Sequence, residues 1–272
     1  FRALTMTGGA LWLFFFFRAR SVRMWPGGAH GAAEWRSVVW LGLPNILGWH
    51  TLSILGVREL ASGRAAVLGF TMPIWTVLLG AAFFGQALTR RVTLAVLAVG
   101  TALALLLADE LASLSGRPMG IVWMELAAIS WALGTLMMRR AQLTLPVEAL
   151  TVWMMGTSAA ALWVLAALLE PWPSWQFSPV MWGALAFAVL INYGVAQIIW
   201  FGMARDLPPA TSAMSVMAIP LVGTLSATFI TGEVPHWQDW LAMGFVMLAI
   251  ASVLLPPGAL RRRPVAAQST DA

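Results

Sequence analysis

Residues 45–60, NILGWHTLSILGVREL, and residues 192–207, NYGVAQIIWFGMARDL, follow one pattern at an offset of 147 positions (45 to 192). At this offset Asn45 falls on Asn192, and Arg58–Leu60 falls on Arg205–Leu207. The match continues without a gap to Leu107 and pairs Pro73 with Pro220, Gly85 with Gly232, Gln86 with Glu233 and Leu94 with Leu241. Two copies of a hydrophobic unit in one chain are typical of transporters built from two halves.

The composition predicts an all-α membrane protein. Apolar residues make up 60% of the chain, charged residues make up 10%, and the mean hydropathy is +0.81. A soluble domain carries roughly a quarter charged residues. The absence of cysteine excludes disulfides and thiolate metal sites. The net charge of +5 comes from arginines that stand mostly in short loops, so we expect a lipid bilayer as the partner and no nucleic acid.

Apolar runs of the length that crosses a bilayer, about 20 residues, recur along the chain. We predict a polytopic helix bundle with nine spans, near residues 1–17, 37–57, 64–86, 92–108, 119–138, 147–169, 178–203, 209–231 and 238–256. Every second loop is marked by arginines: Arg18, Arg20, Arg23 and Arg36, then Arg90 and Arg91, Arg139 and Arg140, Arg205, and Arg261 to Arg263. The positive-inside rule places these loops and the C-terminus in the cytoplasm.

The duplication divides the chain into two repeats, which run antiparallel because an odd number of helices separates equivalent positions. We predict a first repeat at residues 1–112, a second, inverted repeat at residues 113–257 and a disordered cytoplasmic tail at residues 258–272. The segment Ala3-Leu4-Thr5 matches Ala149-Leu150-Thr151, whereas the span near 119–138 has no partner after Phe1. We therefore expect a further helix of about 20–25 residues before Phe1, and two inverted halves of five helices.

Several paired motifs resemble a known family. Arg58–Leu60, Ala65-Ala66, Pro73, Gly85-Gln86 and Leu88-Thr89, with Arg205–Leu207, Ser212-Ala213, Pro220 and Gly232-Glu233, are similar to the EamA-type repeat of the drug/metabolite transporter superfamily. The segment Ser130–Gly134 before Arg139-Arg140 looks like the start of the family's second repeat. The first copy departs at Gln86, where the family usually has Glu, and this favours a loop-capping role for Gln86.

The resemblance implies a secondary carrier that exports amino acids, drugs or other metabolites. The subgroup named here is the YddG type of aromatic amino acid exporters, which the Trp-rich interior fits. The resemblance also implies the bacterial inner membrane, no enzymatic activity and no cofactor. Because two inverted halves supply their own central site, a monomer is the expected state.

Polar side chains within spans are the first candidates for substrate binding, because they are costly in a bilayer. Asn45 and His50 lie in one predicted span and fall at the offset on Asn192 and Gln197, and Tyr193 stands beside Asn192. These residues are expected to face a central cavity, or alternatively to tie helices together by hydrogen bonds. His50 either donates to a substrate carboxylate or couples protons, since a free imidazole has a pKa of about 6.5.

Prolines, tryptophans and methionines complete the candidate site. Pro73 and Pro220 are predicted to lie mid-helix and to act as symmetric hinges, the alternative being static kinks. Trp75, Trp131 and Trp200 offer aromatic surface for a flat substrate, or else pack between helices. Met72 and Met217 stand beside the prolines, where flexible thioethers suit several apolar shapes.

Other classes of protein receive less support. The chain has no phosphate-binding Gly-Lys-Ser/Thr loop, which disfavours ATP-driven transport by this chain. It also lacks a His-Glu-x-x-His stretch, and no intramembrane acidic and histidine residues have metal-ligand spacing, so no metal is expected. Glu125 is the one carboxylate well inside a span and is read either as a coupling or substrate-binding group or as a solvated rim residue. An intramembrane enzyme or a channel is the alternative to the carrier.

The resulting hypothesis is a ten-helix carrier with alternating access around a central, mostly apolar cavity. Its substrates are expected to be small amphipathic metabolites, hydrophobic or aromatic amino acids first. Asn45, His50, Asn192 and Gln197 would meet the polar ends of the substrate, and Trp and Met side chains would contact its body.

Overall fold

A computed structural model describes residues 1–60, 65, 68–107, 118–171, 175–216, 218–219, 222 and 237–254. The secondary structure of these residues is helical throughout, with no strand. The helices are α1 (Arg2–Ala19), α2 (Gly31–Glu59), α3 (Met72–Phe84), α4 (Arg90–Leu107), α5 (Pro118–Arg140), α6 (Val147–Leu169), α7 (Pro179–Asp206), α8 (Pro209–Ser215) and α9 (Trp237–Leu254). A short 3-10 turn, Gly28–His30, precedes α2.

The described helices lie where the apolar runs predict spans, and the all-α membrane fold is confirmed. Four of them, α2, α5, α6 and α7, are long and apolar enough to cross a bilayer. The predicted span at 147–169 coincides with α6, because Pro146 caps its start and Glu170 adopts extended backbone at its end. By contrast, α2 has 29 residues and extends beyond its predicted span at both ends. Helix α7 has 28 residues and extends beyond its predicted span at the C-terminal end.

Both of the longest helices change to π-helical geometry near their middle. In α2 the π segment is Leu43–Gly48, and in α7 it is Ala188–Ala196. In α2 the cause is Pro44, which has no N–H for the regular ladder. The side chain of Asn45 donates through Nδ2 to the carbonyl oxygen of Leu41 at 2.9 Å, so one backbone acceptor gains a side-chain donor.

The π segment of α2 packs directly on α5. Ser130 Oγ donates to the Pro44 carbonyl oxygen at 3.0 Å. Gly134 makes room for Asn45, since a Cβ at Gly134 would lie 2.4 Å from Asn45 Cγ. Gly48 makes room for Ser130 in the same way, with a Cβ at 2.2 Å from Ser130 Oγ. Three small residues therefore let the two helices approach closely, as the Ser130 and Gly134 spacing predicts.

The π segment of α7 packs on α1 through two glycines. A Cβ at Gly9 would lie 2.5 Å from Cβ of Tyr193, and one at Gly8 would lie 2.8 Å from a methyl group of Val189. The π segment of α2 also contacts α6, and Gly42, just before this segment, packs against Met154. The pairs α1 with α6, and α4 with α9, also contact each other along their lengths.

The predicted span at 64–86 is interrupted. A turn at Phe70-Thr71 separates helical residues 68–69 from α3, and Pro73 lies in the first turn of α3. The expected mid-helix position of Pro73 is therefore wrong. In a first turn Pro removes no backbone hydrogen bond, because the N–H groups there have no partner within the helix. Its predicted role as a hinge stays a prediction. Pro220 and Met217 lie outside the described residues, as do residues 108–117 and 255–272.

The C-terminus of α3 is closed by Gly85 and Gln86. Gly85 has φ +63°, the left-handed region that glycine adopts without strain. The backbone N–H of Gln86 donates to the carbonyl oxygen of Gly80 at 3.0 Å, and the Gln86 side chain lies back over Gly80. This geometry agrees with the loop-capping role expected for Gln86.

The close contact of α2 with α5 generates a stability prediction. Gly134→Ala places a methyl group against the buried Asn45, so we expect a loss of about 1–3 kcal/mol in unfolding free energy, the usual cost of overpacking. Thermal unfolding in detergent, followed by tryptophan fluorescence, measures it. The matched control is Gly100→Ala in α4, where a Cβ would meet no atom within 4 Å. An unfolding midpoint of Gly134→Ala at or above that of Gly100→Ala would contradict the packing.

Candidate functional site

A cavity of about 320 Å³ lies between α2, α5 and the segment before α3. Its walls are mostly apolar or aromatic, and Trp49, Ser53 and Val57 contribute the face of α2. Met124 and Trp131 contribute the face of α5. The remaining lining residues are Arg2, Ala65, Gly69, Phe70, Val216 and Ile219. The volume falls in the range of small-molecule pockets, roughly 300–1,000 Å³.

Arg2 is the charged residue of this cavity wall. Its Nη1 donates to Ser53 Oγ at 2.6 Å and to the His50 carbonyl oxygen at 3.1 Å. The same atom lies 3.4 Å from Nδ1 of the His50 ring. Arg2 therefore joins the start of α1 to α2. Sequence reasoning missed this residue, because it took arginines as markers of loops.

Three indole rings form an aromatic row beside the cavity. The ring centroids of Trp49 and Trp131 are 4.8 Å apart, and those of Trp131 and Trp200 are 5.0 Å apart, with tilted planes in both pairs. Gly69 leaves the space that Trp49 fills, since a Cβ there would lie 3.0 Å from the indole. The indole N–H of Trp200 is buried without a hydrogen-bond partner among the described residues. Trp131 and Trp200 were candidates from sequence, and Trp49 was missed.

His50 and Tyr193 lie next to Arg2 rather than on the cavity wall. Both are buried, and their ring centroids are 5.6 Å apart. A guanidinium has only donors, so the Nδ1 atom of His50 accepts in its contact with Arg2. Of the two roles predicted for His50, neither is tested by this geometry, and both stay predictions.

The structure does not bring the two paired asparagines together. Asn45 is buried against Gly134 and does not line the cavity, and its Oδ1 has no hydrogen-bond partner among the described residues. Asn192 is exposed on α7, and Gln197 is half-buried on the same helix. The Asn45 side chain donates to Leu41 within its own helix, so this hydrogen bond does not join two helices. The predicted contacts of Asn45, Asn192 and Gln197 with a substrate stay predictions.

Met72 and Trp75 pack at the start of α3. Met72 is fully buried and is not among the cavity's lining residues, but its cluster includes Val216 and packs against Trp131, which both line the cavity. Trp75 donates its indole N–H to Oε2 of Glu125 at 2.7 Å, and the Thr71 hydroxyl lies 3.0 Å from the same oxygen. Glu125 is half-buried and makes no ion pair with the described residues, so it anchors the broken end of α3 to α5.

The opposite end of the bundle is closed by a polar cluster around Glu34. Glu34 is buried and accepts from Arg23 Nη2 at 2.5 Å, from Thr144 Oγ1 at 2.7 Å and from the Gly27 N–H at 3.0 Å. Arg23 also donates to the Thr144 carbonyl oxygen at 3.0 Å. The α1–α2 loop and the α5–α6 loop are therefore linked to each other.

The C-terminal end of α5 is fixed to two further helices. Arg139 donates to the carbonyl oxygen of Arg205 at 3.0 Å, at the end of α7. Arg140 donates to the carbonyl oxygen of Phe84 and lies over its ring, 4.9 Å from the centroid, at the end of α3. This end of the bundle is tied by polar contacts, whereas the cavity lies nearer the end of α2 that carries Glu59.

Metal binding has no support in the described part of the chain. No three acidic, histidine or cysteine side chains there are grouped as metal ligands. The described lining residues of the cavity provide the Arg2 cation, the Ser53 hydroxyl and aromatic surface for binding.

Comparisons with known proteins agree with this architecture. The chain is 27% identical over 212 residues to the uncharacterized inner membrane transporter YedA of Escherichia coli strain K12, covering 77% of this chain and 67% of that protein. It is 21% identical over 190 residues to the uncharacterized transporter YoaV of Bacillus subtilis, covering 69% of this chain and 64% of that protein.

A solved crystal structure has the same fold. It matches with a TM-score of 0.74 at 21% identity and covers 93% of this chain and 87% of that one. Residues 118–255, slightly more than half of the chain, match the EamA-like transporter family. The chain belongs to the EamA-like transporter family.

Proposed function

We propose that this chain is a secondary carrier of the bacterial inner membrane. It exports small amphipathic metabolites, hydrophobic or aromatic amino acids first, by alternating access around the cavity beside Trp131. The observation that carries the proposal is the cavity itself. It combines aromatic surface from Trp49 and Trp131 with one guanidinium, that of Arg2, which suits a molecule with a flat apolar body and a polar end.

The proposal includes two inverted halves, and the two π segments support them. The offset of 147 positions (45 to 192) carries Leu43–Gly48 into Ala188–Ala196. In addition, α1 packs on the π segment of α7, and α6 packs on the π segment of α2. Helices that pair under the sequence offset thus have matching neighbours, as a two-fold axis in the membrane plane requires. We propose residues 1–112 as the first repeat and residues 113–257 as the second.

Closure at one end supports alternating access. The arginine-rich end is tied by the Glu34 cluster and by Arg139 and Arg140, and the cavity lies toward the other end. With the positive-inside rule, this arrangement corresponds to a carrier closed to the cytoplasm, whose C-terminus is cytoplasmic. Export then requires a second state in which these polar contacts separate.

The relatives are consistent with a carrier. YedA is named an inner membrane transporter and YoaV a transporter, and neither name gives a substrate. Drugs and other metabolites are therefore the alternative substrates in the same fold. A channel or an intramembrane enzyme is the alternative class. It receives less support, because a pair of inverted halves supplies a central binding site within one monomer.

Transport of amino acids is tested with full-length protein in proteoliposomes. We expect saturable uptake of radiolabelled tryptophan and phenylalanine and little uptake of threonine, because the aromatic walls favour flat side chains. Running the assay with and without a pH gradient decides whether protons are coupled. Liposomes without protein are the control. Absence of uptake of all three by protein shown to be folded would overturn the amino acid proposal and direct the search to drugs and other metabolites.

A second test addresses the hinge at the start of α3. Pro73→Ala restores an N–H in a first turn, where no partner is required, so we expect the unfolding midpoint to stay close to that of the wild type. If the break at Phe70-Thr71 is a hinge, the added freedom changes turnover. We expect a lower maximal rate of uptake with an unchanged KM. A maximal rate equal to that of the wild type would show that the break is a static kink.

A further inference from the structure

Arg2 lines the cavity beside Trp131 and also an adjoining cavity of about 350 Å³. Its hydrogen bonds to described residues pass through Nη1, to Ser53 Oγ, the His50 carbonyl oxygen and Nδ1 of the His50 ring. Its Nε and Nη2 atoms have no partner among the described residues. This edge of a guanidinium is the one that holds a carboxylate by two parallel N–H···O bonds. The contacts with Ser53 and His50 fix the orientation of that edge before a ligand arrives.

The charge of the cavity restricts the ligand further. Among the described lining residues Arg2 alone has an ionisable side chain, so a ligand with one negative charge would neutralise it. Unpaired charges at membrane depth are unfavourable, which makes this neutralisation a source of affinity. A phosphate dianion would leave one charge uncompensated. The single positive charge of Arg2 therefore matches a monocarboxylate ligand.

An amino group has no counterpart on the described part of the cavity wall. The described lining residues include no Asp or Glu. Glu125 follows the lining residue Met124, but its Oε2 is engaged by Trp75 and Thr71, and it holds α3 to α5. Within the described residues the cavity thus has a subsite for an acid and no charged subsite for an ammonium group.

Trp49 and Trp131 supply the surface for the rest of the molecule. Their ring planes are tilted by 48°, with Trp200 behind them. Aromatic rings pack well against such tilted faces. A cavity of about 320 Å³ has room for a small ligand of one or two rings.

We propose that the cavity binds aromatic monocarboxylates, with Arg2 Nε and Nη2 on the carboxylate and Trp49 and Trp131 on the ring, and that it does not require the α-amino group. This assignment rests on the proposed carrier function and names its substrate class. It makes Arg2 a residue that determines specificity. An aromatic amino acid is then transported because it carries a carboxylate and a ring.

The experiment compares three radiolabelled probes in proteoliposomes: indole-3-propionate, tryptophan and tryptamine. They share the indole and differ in carrying the acid alone, both groups, or the amine alone. We expect saturable uptake of indole-3-propionate and tryptophan with similar KM, and none of tryptamine above protein-free liposomes. This comparison uses the wild-type protein and does not depend on how any variant folds.

Variants then assign the effect to Arg2. Arg2→Gln is expected to raise the KM for indole-3-propionate by about 10- to 100-fold, the factor for losing a charge-assisted hydrogen bond. Arg2→Lys keeps the positive charge but cannot make two parallel hydrogen bonds to a carboxylate, so its KM is expected to lie between those of Arg2→Gln and the wild type. The matched control is Arg36→Gln, which removes an exposed arginine near the start of α2, at the other end of this helix, and is expected to leave the KM unchanged.

The outcomes separate the two proposals. No uptake of any probe by folded protein overturns the carrier proposal for aromatic substrates. Uptake of tryptamine equal to that of the acid overturns the carboxylate assignment and leaves the carrier in place. Uptake of tryptophan but not of indole-3-propionate also overturns the carboxylate assignment and leaves the carrier in place. It would assign binding of the ammonium group to Glu125. A KM for Arg2→Gln equal to that for Arg36→Gln, with both proteins folded, also overturns the role of Arg2.

Discussion

The contact of the α2 π segment with α5 is the constraint on which the rest of the structure depends. Pro44 disturbs the backbone ladder of α2 in the middle of its length, where the bilayer offers no water to satisfy a freed carbonyl. Ser130 satisfies one carbonyl from α5, and Asn45 satisfies another from within α2. Both solutions require close approach, which Gly48 and Gly134 allow. The face of α2 one turn further on, with Trp49 and Ser53, is thereby held against α5, and the cavity forms between them.

A π segment also has a functional consequence for a carrier. The i→i+5 hydrogen bonds of a π segment rotate the residues that follow about the helix axis, relative to a regular α-helix. The half of α2 after Gly48 therefore presents different side chains to its neighbours from those that a continuous α-helix would present. In α2 these are the residues that meet Arg2 and Trp131. In α7 the π segment ends before Gln197, and Trp200 beyond it reaches Trp131. Each of the two longest helices therefore changes geometry before it reaches the aromatic row.

The sequence predicts the helices well and the site only in part, for physical reasons. Apolar runs locate spans such as α6 because the bilayer demands about 20 apolar residues. They do not locate the break at Phe70-Thr71, since apolar residues continue on both sides of Thr71, and Pro73 signals an irregularity without fixing its position. The repeat places Asn45 and Asn192 at equivalent depth. It cannot specify their neighbours, so one is buried against Gly134 and the other is exposed. Arg2 and Trp49 were missed because a residue's direction around a helix follows from packing, which periodicity in a mostly apolar span does not fix.

A cavity with one fixed positive charge bears on the direction of transport. If the substrate carries one negative charge and Arg2 stays with the protein, the charge that crosses the membrane in each cycle is that of the substrate. A membrane that is negative inside favours outward movement of such a charge by about 2.3 kcal/mol per 100 mV. This is roughly a 50-fold gradient at equilibrium, since 1.4 kcal/mol corresponds to a factor of ten. Export of a monoanion then needs no coupled ion. A zwitterion has no net charge, so the membrane potential does not drive its export. Its export would depend on its own concentration gradient or on a coupled proton. The net charge of the substrate therefore decides whether the carrier needs coupling.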